Sequence, residues 1–559
     1  MLKVQSSKMI VYQVFTRLFS NRNTARIENG SLTENGCGKM NDFTPTVLKN
    51  IRAMGVSHIW FTGVIRHATQ TDYSAYGIPT QHPEVVKGRA GSPYAITDYY
   101  DIDPDLAVDV PNRMKEFEAL VERVHQAGMK VIIDFVPNHV AREYKSICKP
   151  EGVKDLGEED DTSMHFSTKN NFYYCWGQSL DLSNISHSTL HTPQSTYSEN
   201  PARATGNDQF SNQPSANDWY ETVKLNYGID YCDAGGQSEH FSPIPNTWGK
   251  MTDILLFWAG KGIDGFRCDM AEMVPAAFWN WATDKVKYQY PEMLFIGEVY
   301  DPNQYRTYIG AGFDYLYDKV GMYDCIRDVI CGRRSTTDIT SQWQATDDIR
   351  NHMLYFLENH DEQRIASDFF AGKAEKGIPG LIVSVLLQQN PFMLYAGQEY
   401  GERGMDEEGF SGKDGRTTIF DYWCVDTLTR AEQRKLTKEE KALKDMYDKV
   451  LNIARSEKSV AEGESFDLMY VNQQYQRQYA FLRKSDTEVL LVVANFEELS
   501  ADMDVMIPAH AFDYLQIKEK NTIATDLLSG KKKRIVLRRD ETVSMQLPPL
   551  GAVVLKFKA

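Results

Sequence analysis

Four short apolar segments of the chain each end in a carboxylate, and two of these ends also carry a histidine. The carboxylates are Asp134, Asp269, Glu298 and Asp361, and the histidines are His139 and His360. Uncompensated carboxylates are costly to bury, so gathering several in one place requires a metal or a catalytic task. Two neighbouring carboxyls can cleave a glycosidic bond, because one attacks the anomeric carbon while the other protonates the leaving oxygen. A third could stabilise the cationic transition state.

The segment at residues 265–269, Gly-Phe-Arg-Cys-Asp, adds a specific pairing to this pattern. Side chains alternate along a strand, so Arg267 and Asp269 point the same way. A guanidinium beside a carboxylate keeps it ionised and oriented, as a nucleophile requires. A buried structural ion pair explains this segment equally well, and Glu298 or Asp361 alone could be an ordinary strand-end residue. The catalytic interpretation therefore depends on several strand ends sharing the pattern.

Strand-like and helix-like segments alternate along the first three quarters of the chain. Parallel strands need a crossover connection, so the alternation predicts a parallel sheet covered by helices. An open doubly wound sheet and a closed (β/α)8 barrel both place functional residues at the carboxyl ends of strands. No glycine-rich phosphate loop follows the first strand, and the pattern extends over about eight strands, which favours the barrel. The predicted strands span residues 10–15, 56–61, 130–136, 263–269, 293–298, 353–357 and 392–396.

Changes in composition and periodicity along the sequence predict three domains in an α/β protein. Residues 1–139 and 248–458 form the barrel, a TIM barrel in the common name. Residues 140–247 are rich in Asn, Ser, Asp and Tyr with weak periodicity, and they follow the third predicted strand. A structureless loop of that length is improbable in a compact domain, so we expect a small inserted domain over the mouth of the barrel. Residues 459–559 alternate as short strands and predict a C-terminal antiparallel β-sandwich.

Composition excludes some classes of partner. The formal net charge of −16 argues against nucleic acid and against an anionic membrane surface, because both need a basic footprint. The eight cysteines show no CxxC pair, which argues against a disulfide scaffold or a zinc site of that type. The first residues lack the pattern of a signal peptide, so a cytoplasmic location is expected, with a periplasmic or secreted mature form left open. The oligomeric state is left open as well.

The strand-end motifs resemble those of the α-amylase family of glycoside hydrolases. Residues 134–139 (DFVPNH), 265–269 (GFRCD), the Glu298 segment and residues 358–361 (ENHD) resemble the first to fourth sequence regions of that family, in order and spacing. The resemblance extends over nearly the whole chain and implies the barrel, the insertion and the C-terminal β domain. It implies that Asp269 is the nucleophile, Glu298 the general acid and base, and Asp361 the transition-state stabiliser. The sugar-binding residues that it implies are Tyr94, Asp134, His139, Arg267 and His360.

Two departures from the family pattern concern calcium. Many α-amylases carry a Lys-His pair shortly after the nucleophile, and this chain has Met-Ala-Glu-Met at 270–273. The short motif near the end of the insertion contains Lys224, which resembles neopullulanase and cyclomaltodextrinase-like members. No cofactor is expected to be required, although calcium is allowed for. The residues that could donate oxygen to it are Asn138, Asn21 and Asn23, with turn formation as the alternative for the last two.

The expected activity is hydrolysis of α-1,4-glucosidic bonds in starch-like glucans or maltooligosaccharides, with retention of configuration. An α-1,6-active, neopullulanase-like enzyme and an α-glucan transglycosylase are the alternatives within the same fold, because the catalytic residues do not separate them. A non-catalytic sugar-binding relative is a more remote alternative. Such a protein would be expected to lose one or more of the three carboxylates.

Overall fold

The structure is a computed structural model that describes residues 8–185, 196–410 and 412–559. Eight parallel strands close into a barrel in which each strand pairs with its neighbours in chain order and the last pairs with the first. The strands are β1 (Ile10–Phe15), β2 (His58–Thr62), β3 (Lys130–Phe135), β4 (Gly265–Cys268), β5 (Leu294–Gly297), β6 (Tyr315–Tyr317), β7 (Met353–Phe356) and β8 (Phe392–Tyr395). The predicted (β/α)8 barrel is confirmed.

Helices surround the barrel and alternate with its strands. They are α1 (Pro45–Ala53), α2 (Arg113–Gln126), α3 (Asn246–Gly260), α4 (Ala276–Gln289), α5 (Tyr305–Gly310), α6 (Asp324–Ile330), α7 (Ile378–Leu386) and α8 (Lys438–Ser456). Local signals mark several boundaries. Thr44 caps α1 by accepting from the Val47 amide, and Pro45 stands at its first position. Thr437 and Glu440 form the capping box of α8.

The sequence pattern missed one barrel strand. Strand β6 has only three residues, too few for a hydrophobic period to be read from the sequence. Before α2, residues Val110–Asn112 form a 3₁₀ turn, and the helix itself begins at Arg113. The 3₁₀ turn is the tighter form that often precedes an α-helix.

The segment that follows β3 contains little regular structure. A short strand at His139–Ala141 pairs antiparallel with Thr222–Lys224, so the start of the insertion lies against a segment near its end, beside the mouth of the barrel. The other paired strands among its described residues have two residues each. They are Tyr174–Cys175 with Ala202–Arg203, and, after Lys224, Ile229–Asp230 with Ser238–Glu239. Residues 186–195 of the predicted inserted domain lie outside the described residues. The domain boundaries themselves stay a prediction.

The C-terminal region forms two antiparallel sheets. Six strands make the larger sheet, namely Glu464–Asp467, Gln478–Lys484, Glu488–Asn495, Gly551–Lys558, Lys520–Asp526 and Lys532–Leu537 in spatial order. Strands Ala501–Ile507 and Glu541–Leu547 pair as a smaller sheet. The predicted antiparallel β domain is confirmed. Among the described residues, no helix combines the length and apolar character that crossing a membrane would need.

Candidate active site

The guanidinium of Arg267 lies at the centre of the carboxylates that the sequence singled out. Parallel pairing places Arg267 beside Asp134 of β3 and beside Ile296 of β5. Its Nη1 donates to Asp269 Oδ1 at 2.8 Å, and its Nη2 lies 2.7 Å from Glu298 Oε2. Because both nitrogens belong to one planar group, the two carboxyls are held side by side.

Backbone and side-chain donors fix the carboxyl of Glu298 from other directions. The Met270 amide donates to Oε2 at 2.8 Å, and the Tyr300 hydroxyl donates to Oε1 at 2.5 Å. Met270 adopts a left-handed conformation, with φ 42° and ψ 45°, immediately after Asp269. A non-glycine residue in this region is uncommon, and such strain is concentrated at functional sites. The turn directs the Met270 amide at the carboxyl of a neighbouring strand.

Asp361 completes the group from the end of β7. Its Oδ2 lies 3.0 Å from His360 Nε2, and its amide donates to Asn359 Oδ1 at 2.8 Å. The side chain of Asp361 is 38% exposed, whereas those of Asp269 and Glu298 are 8% and 3% exposed. The three carboxyls therefore form a site that opens to solvent on the side of Asp361.

Burial keeps the two histidines of the site neutral. It lowers the pKa of His139 to about 3, with help from the positive charges of Lys224 and Lys87, and it lowers the pKa of His360 as well, with help from Arg267. A neutral imidazole both donates and accepts hydrogen bonds, which suits an uncharged ligand rich in hydroxyl groups.

Polar and aromatic neighbours fix the two rings. The side-chain nitrogen Nε2 of Gln13 lies 2.8 Å from His360 Nδ1. The Tyr94 hydroxyl is within hydrogen-bond distance of His360 Nε2. His139 packs against Trp219, with 5.1 Å between ring centroids. The predicted sugar contacts Tyr94, His139 and His360 thus lie beside the carboxyls or beside the insertion, and their contact with a sugar stays a prediction.

Burial and the neighbouring negative charges raise the pKa values of three carboxyl groups in the site. Burial raises the pKa of Asp269, the negative charges of Glu298, Asp134 and Asp361 raise it further, and Arg267 opposes the change. Burial and Glu298 raise the pKa of Asp361 to about 7. Burial likewise raises the pKa of Asp134 to about 6 against the effect of Arg267. Shifts of this kind, caused by burial and by like charges, are typical of catalytic sites.

Asp134 and Arg267 act on other protein groups. Asp134 Oδ2 accepts from Trp60 Nε1 at 3.1 Å and its Oδ1 from Arg267 Nη1 at 3.4 Å, and both side chains are buried. Arg267 Nε donates to the Tyr317 hydroxyl at 3.2 Å. These contacts show positioning of the carboxylates, so direct sugar binding by the two residues stays a prediction.

Several residues of the site escaped the sequence analysis. Tyr300 carried a signal that could have been used, because it stands two residues after Glu298 and an extended segment would place both on one side. Gln13, Trp60 and Tyr317 lie on other strands, so only the closed barrel brings them here. Arg416 donates from a distant loop to the Asp361 carbonyl at 2.6 Å.

The residues around Asn138 do not fit a calcium ion. Asn138 is buried, and its Oδ1 accepts a hydrogen bond from the ammonium group of Lys224. The same ammonium lies 2.6 Å from Asp208 Oδ1 and donates to the Met273 carbonyl at 3.2 Å. Three oxygens therefore converge on a side-chain cation, and a divalent ion placed among them would be repelled by it.

Asn21 and Asn23 use their amides within the first loop of the chain. Asn21 Nδ2 donates to the carbonyls of Asn35 and Trp423, and its Oδ1 accepts from the Asn23 amide. Asn23 Oδ1 accepts from the Ala25 amide at 3.0 Å. These contacts match the turn-forming alternative. None of the groups that make them is a carboxylate, the ligand that would attract calcium.

Comparison with known proteins agrees with this architecture. Residues 13–476 match the model of the α-amylase catalytic domain, and residues 470–558 match that of the α-amylase C-terminal all-beta domain. α-Amylase 3 of Dictyoglomus thermophilum is 23% identical over 478 residues, which cover 81% of this chain and 83% of that protein. α-Amylase MalA of Haloarcula japonica is 24% identical over 540 residues, which cover 96% of this chain and 60% of that protein.

Solved structures show the same fold. The maltogenic α-amylase AmyB from Thermotoga neapolitana superposes with a TM-score of 0.63 at 19% identity, over 99% of each chain. The two family models match the parts of the chain that form the barrel and the C-terminal sheets. With its carboxylates gathered around Arg267 at the mouth of that barrel, this chain belongs to the α-amylase family of glycoside hydrolases.

Proposed function

We propose that this enzyme hydrolyses α-1,4-glucosidic bonds of starch-like glucans or maltooligosaccharides with retention of anomeric configuration. The observation that carries the proposal is the pairing of Asp269 and Glu298 on one guanidinium, with 2.8 and 2.7 Å contacts. Retaining glycosidases keep their two carboxyls close together, whereas inverting enzymes separate them to admit a water molecule.

In the first step Asp269 attacks the anomeric carbon of the bound sugar. A bond forms between that carbon and Oδ2 or Oδ1 of Asp269, and the bond to the leaving oxygen breaks. Glu298 gives its proton to that oxygen, so the leaving glucan departs with a neutral hydroxyl group. Arg267 orients Asp269 and keeps a positive charge beside it during the attack.

In the second step a water molecule restores the enzyme. Glu298, now ionised, takes a proton from the water, whose oxygen bonds to the anomeric carbon as the ester bond to Asp269 breaks. The two inversions give net retention. If a sugar hydroxyl takes the place of water, the same step transfers the glycosyl group, so transglycosylation needs no other catalytic residue.

The remaining residues of the site bind and orient the sugar in this proposal. Asp361 grips sugar hydroxyls as positive charge develops on the ring, and neutral His139 and His360 provide hydrogen bonds. Tyr94 offers an aromatic face beside His360, with 5.4 Å between ring centroids. The exposed side of Asp361 gives the entrance for the glucan chain.

The two alternative reactions use the same carboxylates. An α-1,6-active enzyme or a transglycosylase would differ in the loops that shape the sugar subsites, and the insertion after β3 supplies such loops. The short motif that contains Lys224 is the part of the sequence that resembles neopullulanase-like members. A non-catalytic sugar-binding protein is the least favoured alternative, because all three carboxylates are present and converge. A cytoplasmic location also stays a prediction from the sequence.

The absence of a calcium requirement is part of the proposal. The ammonium of Lys224 occupies the oxygens that Asn138 and Asp208 would otherwise offer to a cation. It thereby joins Asn138, just before the insertion, to Lys224 near the end of the insertion, a structural role that a bound ion could fill in other proteins.

Replacing either catalytic carboxylate tests the mechanism directly. Asp269→Asn removes the nucleophile and Glu298→Gln removes the transferable proton, so each should lower kcat/KM on maltoheptaose by about 10³-fold or more. The exposed Asp284, on the outer helix α4, gives the control Asp284→Asn, which should keep full activity. Turnover by either catalytic variant at the level of the control would contradict the assignment.

The configuration of the first product tests retention. Proton NMR during hydrolysis should show the α-anomer first, with the β-anomer arising later by mutarotation. Initial release of the β-anomer would exclude double displacement while leaving hydrolysis itself intact.

A panel of glucans separates the linkage alternatives. For an α-1,4 hydrolase we expect shorter maltooligosaccharides from maltoheptaose and little cleavage of the α-1,6 bonds of pullulan. Dominant cleavage of pullulan or cyclodextrin would favour the neopullulanase-like alternative. Products longer than the maltoheptaose supplied would favour the transglycosylase, because they can form only by transfer.

The dependence of activity on pH follows from the crowding of carboxylates. A protonated Asp269 cannot attack, and its pKa is raised, so kcat/KM should fall on acidification at a pH above the ordinary aspartate value of about 3.9. Asp134→Asn removes one of the negative charges that raise this pKa. The acidic limb of its residual activity should therefore move to lower pH. An unmoved limb, or a shift in Asp284→Asn as well, would contradict the electrostatic account.

Calcium dependence is tested on metal-free enzyme with and without added Ca²⁺, and kcat/KM should be the same in both. Strong activation by Ca²⁺ would overturn the proposal.

A Lys224→Met variant tests the structural role of the ammonium group, because it keeps most of the length of the side chain and removes its charge. It leaves the buried Asn138 oxygen without its donor, so the free energy of unfolding should fall by about 1–3 kcal/mol. Lys531→Met, at an exposed position, is the control.

A further inference from the structure

Outside the catalytic site, nitrogen, sulfur and oxygen donors converge in the insertion. A ring nitrogen of His165, a carboxylate oxygen of Asp230 and Sγ of Cys232 all lie within 4.8 Å of one another. Asp230 also belongs to a second group of that size with Asp233 and His240. Asp230 ends the first strand of the Ile229–Asp230 hairpin, and His240 follows its second strand. His165 comes from a loop more than sixty positions earlier in the chain.

The imidazole of His165 is oriented as in a metal-binding histidine. Its Nδ1 lies 3.1 Å from the Tyr174 carbonyl, a contact that leaves Nε2 with the lone pair. Nε2 is buried and has no hydrogen-bond partner. A buried polar atom without a partner destabilises the folded protein. A ligand that fills this coordination position would remove this destabilisation.

The types of donor select the class of metal. Calcium and magnesium prefer oxygen ligands, whereas a thiolate and an imidazole suit zinc and similar transition metals. A tetrahedral zinc ion takes four ligands, and the two groups share Asp230 and offer more than four side chains. Asp233 and His240 each place a donor atom within 4.8 Å of Asp230, so a small movement of the hairpin would let either supply the fourth ligand.

Aromatic rings surround the His165 side of this group. His165 packs against Tyr173 and Phe210, with centroid distances of 5.9 and 6.1 Å, and His240 packs against Phe166 at 5.2 Å. Apolar walls lower the local dielectric and strengthen the attraction between a divalent cation and its anionic ligands.

We propose that His165, Asp230 and Cys232 bind Zn²⁺, with His240 or Asp233 as the fourth ligand, and that the ion fastens the hairpin 229–239 to the His165 loop. The hairpin continues directly from Tyr227, whose hydroxyl donates to the Pro137 carbonyl at 2.7 Å, two residues before His139. The ion thus stabilises a part of the insertion that begins next to the catalytic site. It takes no part in bond cleavage.

Metal titration of the whole chain tests the site. The reduced protein is freed of metal with a chelator, and Zn²⁺ is added in a calorimeter, with expected binding of one equivalent. Cys232→Ser and His165→Asn should each weaken this binding by at least about tenfold. The control is Cys148→Ser, since Cys148 is also exposed and belongs to a different cluster. Equal binding by the control and by both variants would place zinc elsewhere and overturn the proposal.

Cobalt substitution provides a second readout that does not depend on activity. Co²⁺ bound by a thiolate shows a sulfur-to-metal charge-transfer band in the near ultraviolet. The band should be present in the wild type and in Cys148→Ser and absent in Cys232→Ser. A saturated cobalt protein without this band would exclude Cys232 as a ligand. Binding retained in Asp269→Asn shows that the ion does not lie among the catalytic carboxylates, and loss of binding there would overturn the proposal.

Discussion

The candidate active site depends on one buried positive charge, the guanidinium of Arg267. Its three carboxylate neighbours, Asp134, Asp269 and Glu298, come from three adjacent strands of the barrel. Burial raises the pKa of Asp134 and of Asp269, and the positive charge of Arg267 opposes both changes. Since the guanidinium is planar and offers several donors, it compensates charge and fixes geometry at once. The rings of Trp60, Tyr94 and Tyr317 lie 5.1–5.6 Å from its central carbon and confine it further.

The closed barrel is what allows a single side chain to meet all these partners. Parallel strands end at the same face, and closure directs alternate side chains toward one axis. The register between β3, β4 and β5 places Asp134, Arg267 and Ile296 at one level, and Glu298 follows one step higher. The strained turn at Met270 then adds a backbone donor at that level. Packing around the barrel thereby sets the distances on which the proposed proton transfer and nucleophilic attack depend.

A second charge, on Lys224, links the insertion to this arrangement. The His139–Ala141 and Thr222–Lys224 strands bring the two ends of the segment 142–221 together, and the ammonium of Lys224 joins Asn138 across them. The neighbouring His139 is held neutral partly by that same charge. The charge of Lys224 therefore also affects the protonation of a proposed sugar contact.

Patterns among adjacent residues of the sequence determined several features of this protein. The alternation within residues 265–269 was enough to pair Arg267 with Asp269, and apolar runs located seven of the eight barrel strands, because both signals depend on a few adjacent residues. Strand β6 was too short to carry such a signal. The contacts of Arg267 with Glu298, of Gln13 with His360, and of His165 with Cys232 join residues far apart in the chain. Only strand register and loop packing bring such pairs together, because side-chain periodicity carries no information about which strands become neighbours.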